Sequence, residues 1–264
     1  MSVMPSDANS PRVLVVTPTY DEAGTLTTTL AAIASAAPAV DVLVVDDASP
    51  DGTGEIADRL AAADPRVTVL HRPRKDGLGR AYVAGFRLGL DRGYDVIVEM
   101  DADGSHPAAA LPGLLAALAA DPALGLAIGS RWVPGGSVAD WAASRRTLSR
   151  AGNAYARAML RLGVRDVTAG YRAYRAEVLR DLPLDEIDSR GYCFQIDMTL
   201  RTVDAGWGII ELPIEFRERT AGRSKMSRAI VAEAMWRVTV WGLFGPPRSK
   251  PTLSRRARRA TAAN

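Results

Sequence analysis

Two carboxylates one residue apart, Asp101 and Asp103, end a short β-branched run and precede a Gly-Ser-His-Pro segment that reads as a helix entrance. Residues two apart on a half-open strand project to the same side, so both side chains are expected to face one point. Like charges held that close repel unless a cation lies between them. Hard oxygen ligands favour Mg²⁺ or Mn²⁺, ions that keep coordination positions open for substrate phosphates. Two more acidic tips occur earlier, Tyr20 with Glu22 just after Pro18, and Asp46 with Asp47. The Tyr20 ring offers a face to a base, and Asp47 offers an acceptor to a nucleobase or ribose. Asp51 and Gly52 read instead as an Asx turn followed by a helix cap at Thr53.

Cations gather in the later part of the chain. Arg131 follows an expected strand and Arg145 opens an expected helix, so both can point into one crevice. Arg219 and Lys225 lie six apart in a Gly-containing loop that reads as a mobile cationic flap closing over phosphates. Arg150, Arg157 and Arg161 read as a solvated helix face. Gly77-Leu78-Gly79 reads as a helix entry rather than a phosphate loop. His71 and His106 stand on different elements and suggest no metal triad.

The elements that must position these groups follow from periodicity. Short apolar β-branched runs are expected as strands at 13–16, 42–45, 67–70, 96–101 and 124–129. Helices are expected between them, at 25–37, from 53 to about 63, at 77–91 and from 107. That alternation predicts a parallel, doubly wound α/β sheet, in which ligands gather beyond the carboxyl ends of the strands. Three of those ends carry the acidic tips. Further on, a basic helix is expected at 144–162, an extended piece at 166–175, a helix at 194–205, a strand at 209–216 and an amphipathic helix at 229–244.

Composition bounds the reading. The chain has 264 residues, 47% hydrophobic and 24% charged, which suits one large α/β domain or two small ones. Net charge is only +3, but Arg248, Lys250, Arg255, Arg256, Arg258 and Arg259 crowd the end. Such a tail suits an anionic surface, either nucleic acid or lipid headgroups. Acidic strand ends repel nucleic acid, so no nucleic-acid partner is expected. One cysteine, Cys193, excludes an internal disulfide and fits a reducing cytoplasm. No signal peptide and no apolar run of the roughly 20 residues that span a bilayer is evident. Trp236, Trp241 and Phe244 ahead of the basic tail also suit a helix lying in a membrane interface.

Five blocks carry a resemblance. They are Pro18-Thr-Tyr20-Asp-Glu22, Val45-Asp46-Asp47-Ala-Ser-Pro-Asp51-Gly-Thr, Met100-Asp101-Ala102-Asp103-Gly-Ser105-His-Pro107, Gly129-Ser-Arg131 and Arg219-x-x-Gly-x-Ser-Lys225-Met226. In this order they resemble the polyprenol monophosphate (dolichol-phosphate) mannose synthases, inverting GT-A glycosyltransferases. The last block is the most specific to that family. The resemblance implies a GT-A, Rossmann-like, mostly parallel sheet flanked by helices. It implies transfer of mannose from GDP-mannose to a membrane polyprenol phosphate with Mg²⁺ or Mn²⁺. By resemblance, Pro18, Tyr20, Glu22, Val45 and Asp47 hold the guanosine. Asp101, Ala102 and Asp103 line the sugar diphosphate, and Asp101, Asp103 and Ser105 are the metal-ligand candidates. Ser105 stands where some relatives carry Gln, and Arg223 where the loop is often acidic or neutral. Arg131, Arg145, Arg219 and Lys225 hold phosphates. A nucleotide-sugar half at 12–131 and an acceptor half at 132–245 are expected, between a disordered start (1–11) and a basic disordered tail (246–264). The enzyme is expected to be peripheral on the cytoplasmic face of the membrane, anchored by an integral partner. A glucosyl or other UDP-sugar transferase is the nearest alternative.

Overall fold

Valine-rich runs set the sheet. Along β1 (Val13–Thr19), Val13 and Val15 turn to one core while Leu14 and Val16 turn to the other. In β2 (Asp41–Asp46), Val42 and Val44 likewise oppose Leu43 and Val45. Both faces are therefore buried, as in a sheet with helices on each side. A fully buried Val or Leu side chain contributes about 1.5–3 kcal/mol, so these two strands alone anchor both layers. The computed structural model describes residues 10–187, 189, 191–218 and 228–245.

One layer is formed by α1 (Leu26–Ala36), α2 (Thr53–Ala63) and α4 (Leu111–Ala120), which pack Leu26, Ile33, Ala57 and Leu111 on the sheet. The other contains α3 (Leu78–Asp91), α5 (Ala143–Leu160), α6 (Ala176–Asp181), α7 (Tyr192–Asp204) and α8 (Arg228–Phe244). α3 lies so close to β1 that a Cβ on Gly85 would collide with Val16. Gly77, at φ 95°, opens α3, as the helix-entry reading expects.

The remaining strands are β3 (Val67–His71), β4 (Val96–Glu99), β5 (Leu124–Ser130), β7 (Arg172–Arg175) and β8 (Gly208–Pro213). The seven-stranded order is β3-β2-β1-β4-β7-β5-β8. Every pair is parallel except those of β7, which runs antiparallel to both β4 and β5. The sheet is thus mostly parallel, as the resemblance implied, with β7 its one antiparallel strand. β7 returns to the middle of the sheet after the long excursion through α5, and its four residues carry no local sign of their direction.

The strand expected at 209–216 stops at Pro213. Pro213 cannot extend the ladder as a donor. The chain leaves the main sheet there, and β9 (Glu215–Phe216) pairs with β6 (Ser137–Val138) in a separate two-stranded ribbon. The segment expected to be extended at 166–175 is irregular until Arg172. Nor does α8 divide cleanly into apolar and polar faces. Val238 and Trp241 are buried against α5 and α7, while Trp236, Leu243 and Phe244 are exposed.

Candidate active site

The ends of β1, β2 and β4 open on a cavity of about 370 Å³, walled by Pro18, Tyr20, Glu22, Asp47, Asp101, Ala102, Asp103 and Ser105. The acidic tips that the sequence pointed to thus converge. Their roles in the wall differ. Asp46 is buried and accepts from the Thr19 hydroxyl at 3.0 Å and from Ser49 Oγ at 2.6 Å, tying two strand ends together. Asp47 faces the cavity and pairs with Arg72 at 2.6 Å. Burial raises its carboxyl, and the Arg72 guanidinium opposes that rise. Val45 is fully buried in the core, so its side chain takes no part in the wall. One face of the Tyr20 ring is covered by Lys75, whose Nζ lies 3.5 Å from the centroid.

Thr53 does not cap α2. Its hydroxyl accepts the Glu22 N–H at 3.0 Å and donates to Asp51, while Gly52 at φ 87° holds the cap position. Asp51 also receives the Thr53 N–H, completing the expected Asx turn. These bonds seat the Tyr20–Glu22 segment on the start of α2.

β4 ends at Glu99, so Asp101 and Asp103 lie in a turn beyond it rather than on a strand. Strand alternation is therefore not what brings them together; the turn is. Tyr82, wholly buried, donates to Asp101 Oδ1 at 2.7 Å. Burial and the adjacent Asp101 push its phenol well above the ordinary value, so it stays a donor. The Asp101 N–H donates to His106 Nδ1 at 3.0 Å, and the Ser105 N–H donates to Asp103 Oδ1 at 3.0 Å. The Ala102 carbonyl accepts from Thr29 at 2.9 Å. Ser105 Oγ is buried without a partner among the described residues.

Under this turn lies a network that sequence reasoning missed. Arg172 is fully buried and donates to the carbonyls of Ala169, Val167 and Gln195 at 2.7–2.9 Å. Gln195 Nε2 donates to Glu99 at 2.6 Å. Burial raises the Glu99 carboxyl to about 7 against the pull of Arg172. No local spacing links positions 99, 172 and 195, so only the fold could reveal them.

Arg131 and Arg145 both line the cavity, each already engaged by an acidic partner. Arg131 is buried and held by both oxygens of Asp166 at 2.6 and 2.7 Å, with Thr168 at 2.8 Å. Trp132, Trp141 and Phe216 ring its guanidinium at 5.4–5.7 Å. Arg145 reaches the same crevice, pairs with Glu218 and lies over the Trp141 ring at 4.0 Å. Arg150 and Arg161 are exposed, Arg150 standing over Trp132 at 4.8 Å. Arg157 is half-buried, because the helix face expected to meet solvent is covered at that turn. Arg219, Arg223 and Lys225 lie outside the described residues.

A second cavity, about 320 Å³, runs between α5 and α8. Its wall is mostly apolar, with Leu148, Ala156, Ile196, Met235 and Val238, and it shares Arg131, Trp141, Arg145 and Thr168 with the first. Acidic and apolar chambers thus meet at one basic, aromatic junction.

An undecaprenyl-phosphate mannosyltransferase of Micrococcus luteus is 59% identical over 233 residues, covering 88% of this chain and 94% of that protein. A polyprenol monophosphomannose synthase of Mycolicibacterium smegmatis is 54% identical over 235 residues, covering 89% and 88%. The fold is similar to a crystal structure of glucosyl-3-phosphoglycerate synthase from Mycobacterium tuberculosis in complex with Mn²⁺ and UDP-glucose. That likeness has a TM-score of 0.63 at 23% identity and covers 90% of this chain and 81% of that one. Residues 14–183, from β1 past β7, match the family model described as glycosyl transferase family 2. On that match and on relatives aligned over most of their length, the chain belongs to glycosyl transferase family 2 and is a glycosyltransferase.

Proposed function

We propose that this glycosyltransferase moves mannose from GDP-mannose to a polyprenol monophosphate, giving a polyprenyl β-mannosyl phosphate with inversion at C1. The names of the two close relatives support the sugar and the lipid class. The single structural observation that carries the reading is the pair of chambers. A carboxylate-walled chamber suits a metal-bound sugar nucleotide, and an apolar chamber joined to it at Arg131 and Arg145 suits a lipid whose head is an anion. In this reading residues 12–131 serve the donor and 132–245 the acceptor.

The donor set fits a hard divalent cation. Asp101 and Asp103 bring two carboxylates to one turn, and the unpartnered Ser105 hydroxyl adds a third oxygen. Among the described residues no cluster of three His, Cys, Asp or Glu side chains is available, so a bound ion would take its remaining oxygens from the substrate diphosphate. Mg²⁺ or Mn²⁺ bound there supplies charge neutralisation for the departing diphosphate. Tyr82 and the Ser105 N–H hold the two carboxylates in place. Pro18, Tyr20, Glu22 and Asp47 line the nucleoside end, where Lys75 must leave the Tyr20 face that a base would cover. The acceptor phosphate oxygen attacks C1, and the C1–O bond breaks with its electron pair leaving on GDP. The acceptor is already an anion, so no general base is needed, and positioning by Arg131, Arg145, Arg219 and Lys225 carries the step.

Among the described residues no helix is long and apolar enough to cross a membrane. The exposed Trp236, Leu243 and Phe244 at the end of α8 suit attachment to the cytoplasmic face, with an integral membrane protein as anchor. The test is incubation of the purified protein with labelled GDP-mannose, Mg²⁺ and undecaprenyl phosphate, with UDP-glucose in parallel. An acid-labile mannolipid is expected. Label transfer from UDP-glucose alone would replace mannose by glucose.

A further inference from the structure

Ten buried side-chain polar atoms lack a partner among the described residues, and five of them belong to Trp132, Trp141, Arg145, Asn153 and Arg157. Arg145, Asn153 and Arg157 sit on α5, Trp141 just before it, and Trp132 just after β5. Four of these atoms are N–H donors: Trp132 Nε1, Trp141 Nε1, Arg145 Nε and Arg157 Nε. A buried donor left unmade costs about 1–3 kcal/mol, so the two of these that line both chambers, on Trp141 and Arg145, call for an acceptor from beyond the described residues. Trp141 and Arg145 stand where the two chambers meet, and the Arg145 guanidinium carbon lies 4.0 Å from the centroid of the Trp141 ring.

We propose that Trp141 is a binding residue for the acceptor phosphate, its indole N–H donating to a non-bridging phosphate oxygen beside the Arg145 Nε–H. The proposal deepens the polyprenol-phosphate reading and rests on it. The chemistry is selective. An indole N–H donates but never accepts, so it favours a fully ionised oxygen over a hydroxyl. A phosphate arriving from the apolar chamber competes with Glu218 for Arg145, and the movement of Arg145 opens the wall beside the indole. Stacking on Arg145 and the edge contacts with Trp132 and Phe216 fix the ring plane, so the N–H direction is set before the lipid arrives.

Trp141→Phe keeps the ring and its stacking but removes the donor. The KM for a polyprenyl phosphate should rise about tenfold or more, the worth of a hydrogen bond to an anion. The KM for the sugar nucleotide should rise less than the acceptor KM, since the lost N–H is assigned to the acceptor phosphate and the nucleoside end is walled by Pro18, Tyr20, Glu22 and Asp47. The second readout needs no turnover. In a ¹⁵N-labelled protein, the indole resonance that disappears in Trp141→Phe should move downfield on adding farnesyl phosphate, and should stay in place with farnesol. An unmoved resonance, or an unchanged acceptor KM in Trp141→Phe, overturns the proposal even if wild-type enzyme makes mannolipid. A resonance that moves in a protein making no mannolipid keeps the anion site and removes the proposed reaction instead.

Discussion

The two walls of the crevice handle their polar groups in opposite ways. On the acidic wall, Asp47, Asp101 and Asp103 each accept a hydrogen bond from a neighbour in the chain. On the basic, aromatic wall, Trp141 and Arg145 each keep a buried N–H without an acceptor among the described residues. The first wall is preorganised by its own fold and needs only a cation to offset its charge. The second is left incomplete and needs an anion. The difference teaches which side is rigid before substrate arrives and which side is completed by it.

Arg131 is the exception on the basic wall, because Asp166 already neutralises it. Replacing Asp166 by Ala leaves a buried, uncompensated guanidinium and should cost about 3–5 kcal/mol of stability, measured by urea unfolding. A loss under about 1 kcal/mol would mean that Arg131 relaxes into the cavity, and the contrast between the walls would weaken. Asp103→Ala should lower metal-dependent turnover by about 10²–10³-fold with a native circular dichroism spectrum. Retained turnover would remove the metal assignment from the acidic wall.

Glu99, beneath that wall, sharpens the comparison through pH. Its carboxyl is raised from 4.5 to about 7 in the folded protein, so the native state holds its proton more tightly than the unfolded chain. The contribution to stability is complete below about pH 4.5 and is lost as pH rises to about 7, amounting to roughly 3 kcal/mol at most. Glu99→Gln should therefore gain stability relative to wild type between pH 5 and pH 8, read from urea midpoints at both values. A pH-independent difference would show that Glu99 stays ionised throughout.

Much of the acidic wall was legible in the sequence, because β-branched runs mark strands and their carboxyl ends fall beside turn residues. Asp47, Asp101 and Asp103 reach the cavity on that logic alone, although the last two do so from a turn. The basic wall was only partly legible. Arg131 and Arg145 were found from their positions after a strand and before a helix. Asp166, which neutralises Arg131 across 35 positions, and the 99–172–195 network depend on β7 entering the sheet backwards. Contacts of that separation leave no periodic trace. Trp141 was passed over because an isolated aromatic in a loop carries no signal until its unpaired N–H is seen.

The most direct test of the two-chamber account uses Gly152, which lines the apolar chamber and has open space where a side chain would begin. Gly152→Trp fills that chamber without a backbone collision and improves helix propensity in α5. The account predicts an unchanged or higher melting temperature, an unchanged KM for GDP-mannose, and a KM for undecaprenyl phosphate raised at least about tenfold. Unchanged kinetics for both substrates, in a folded variant, would contradict it.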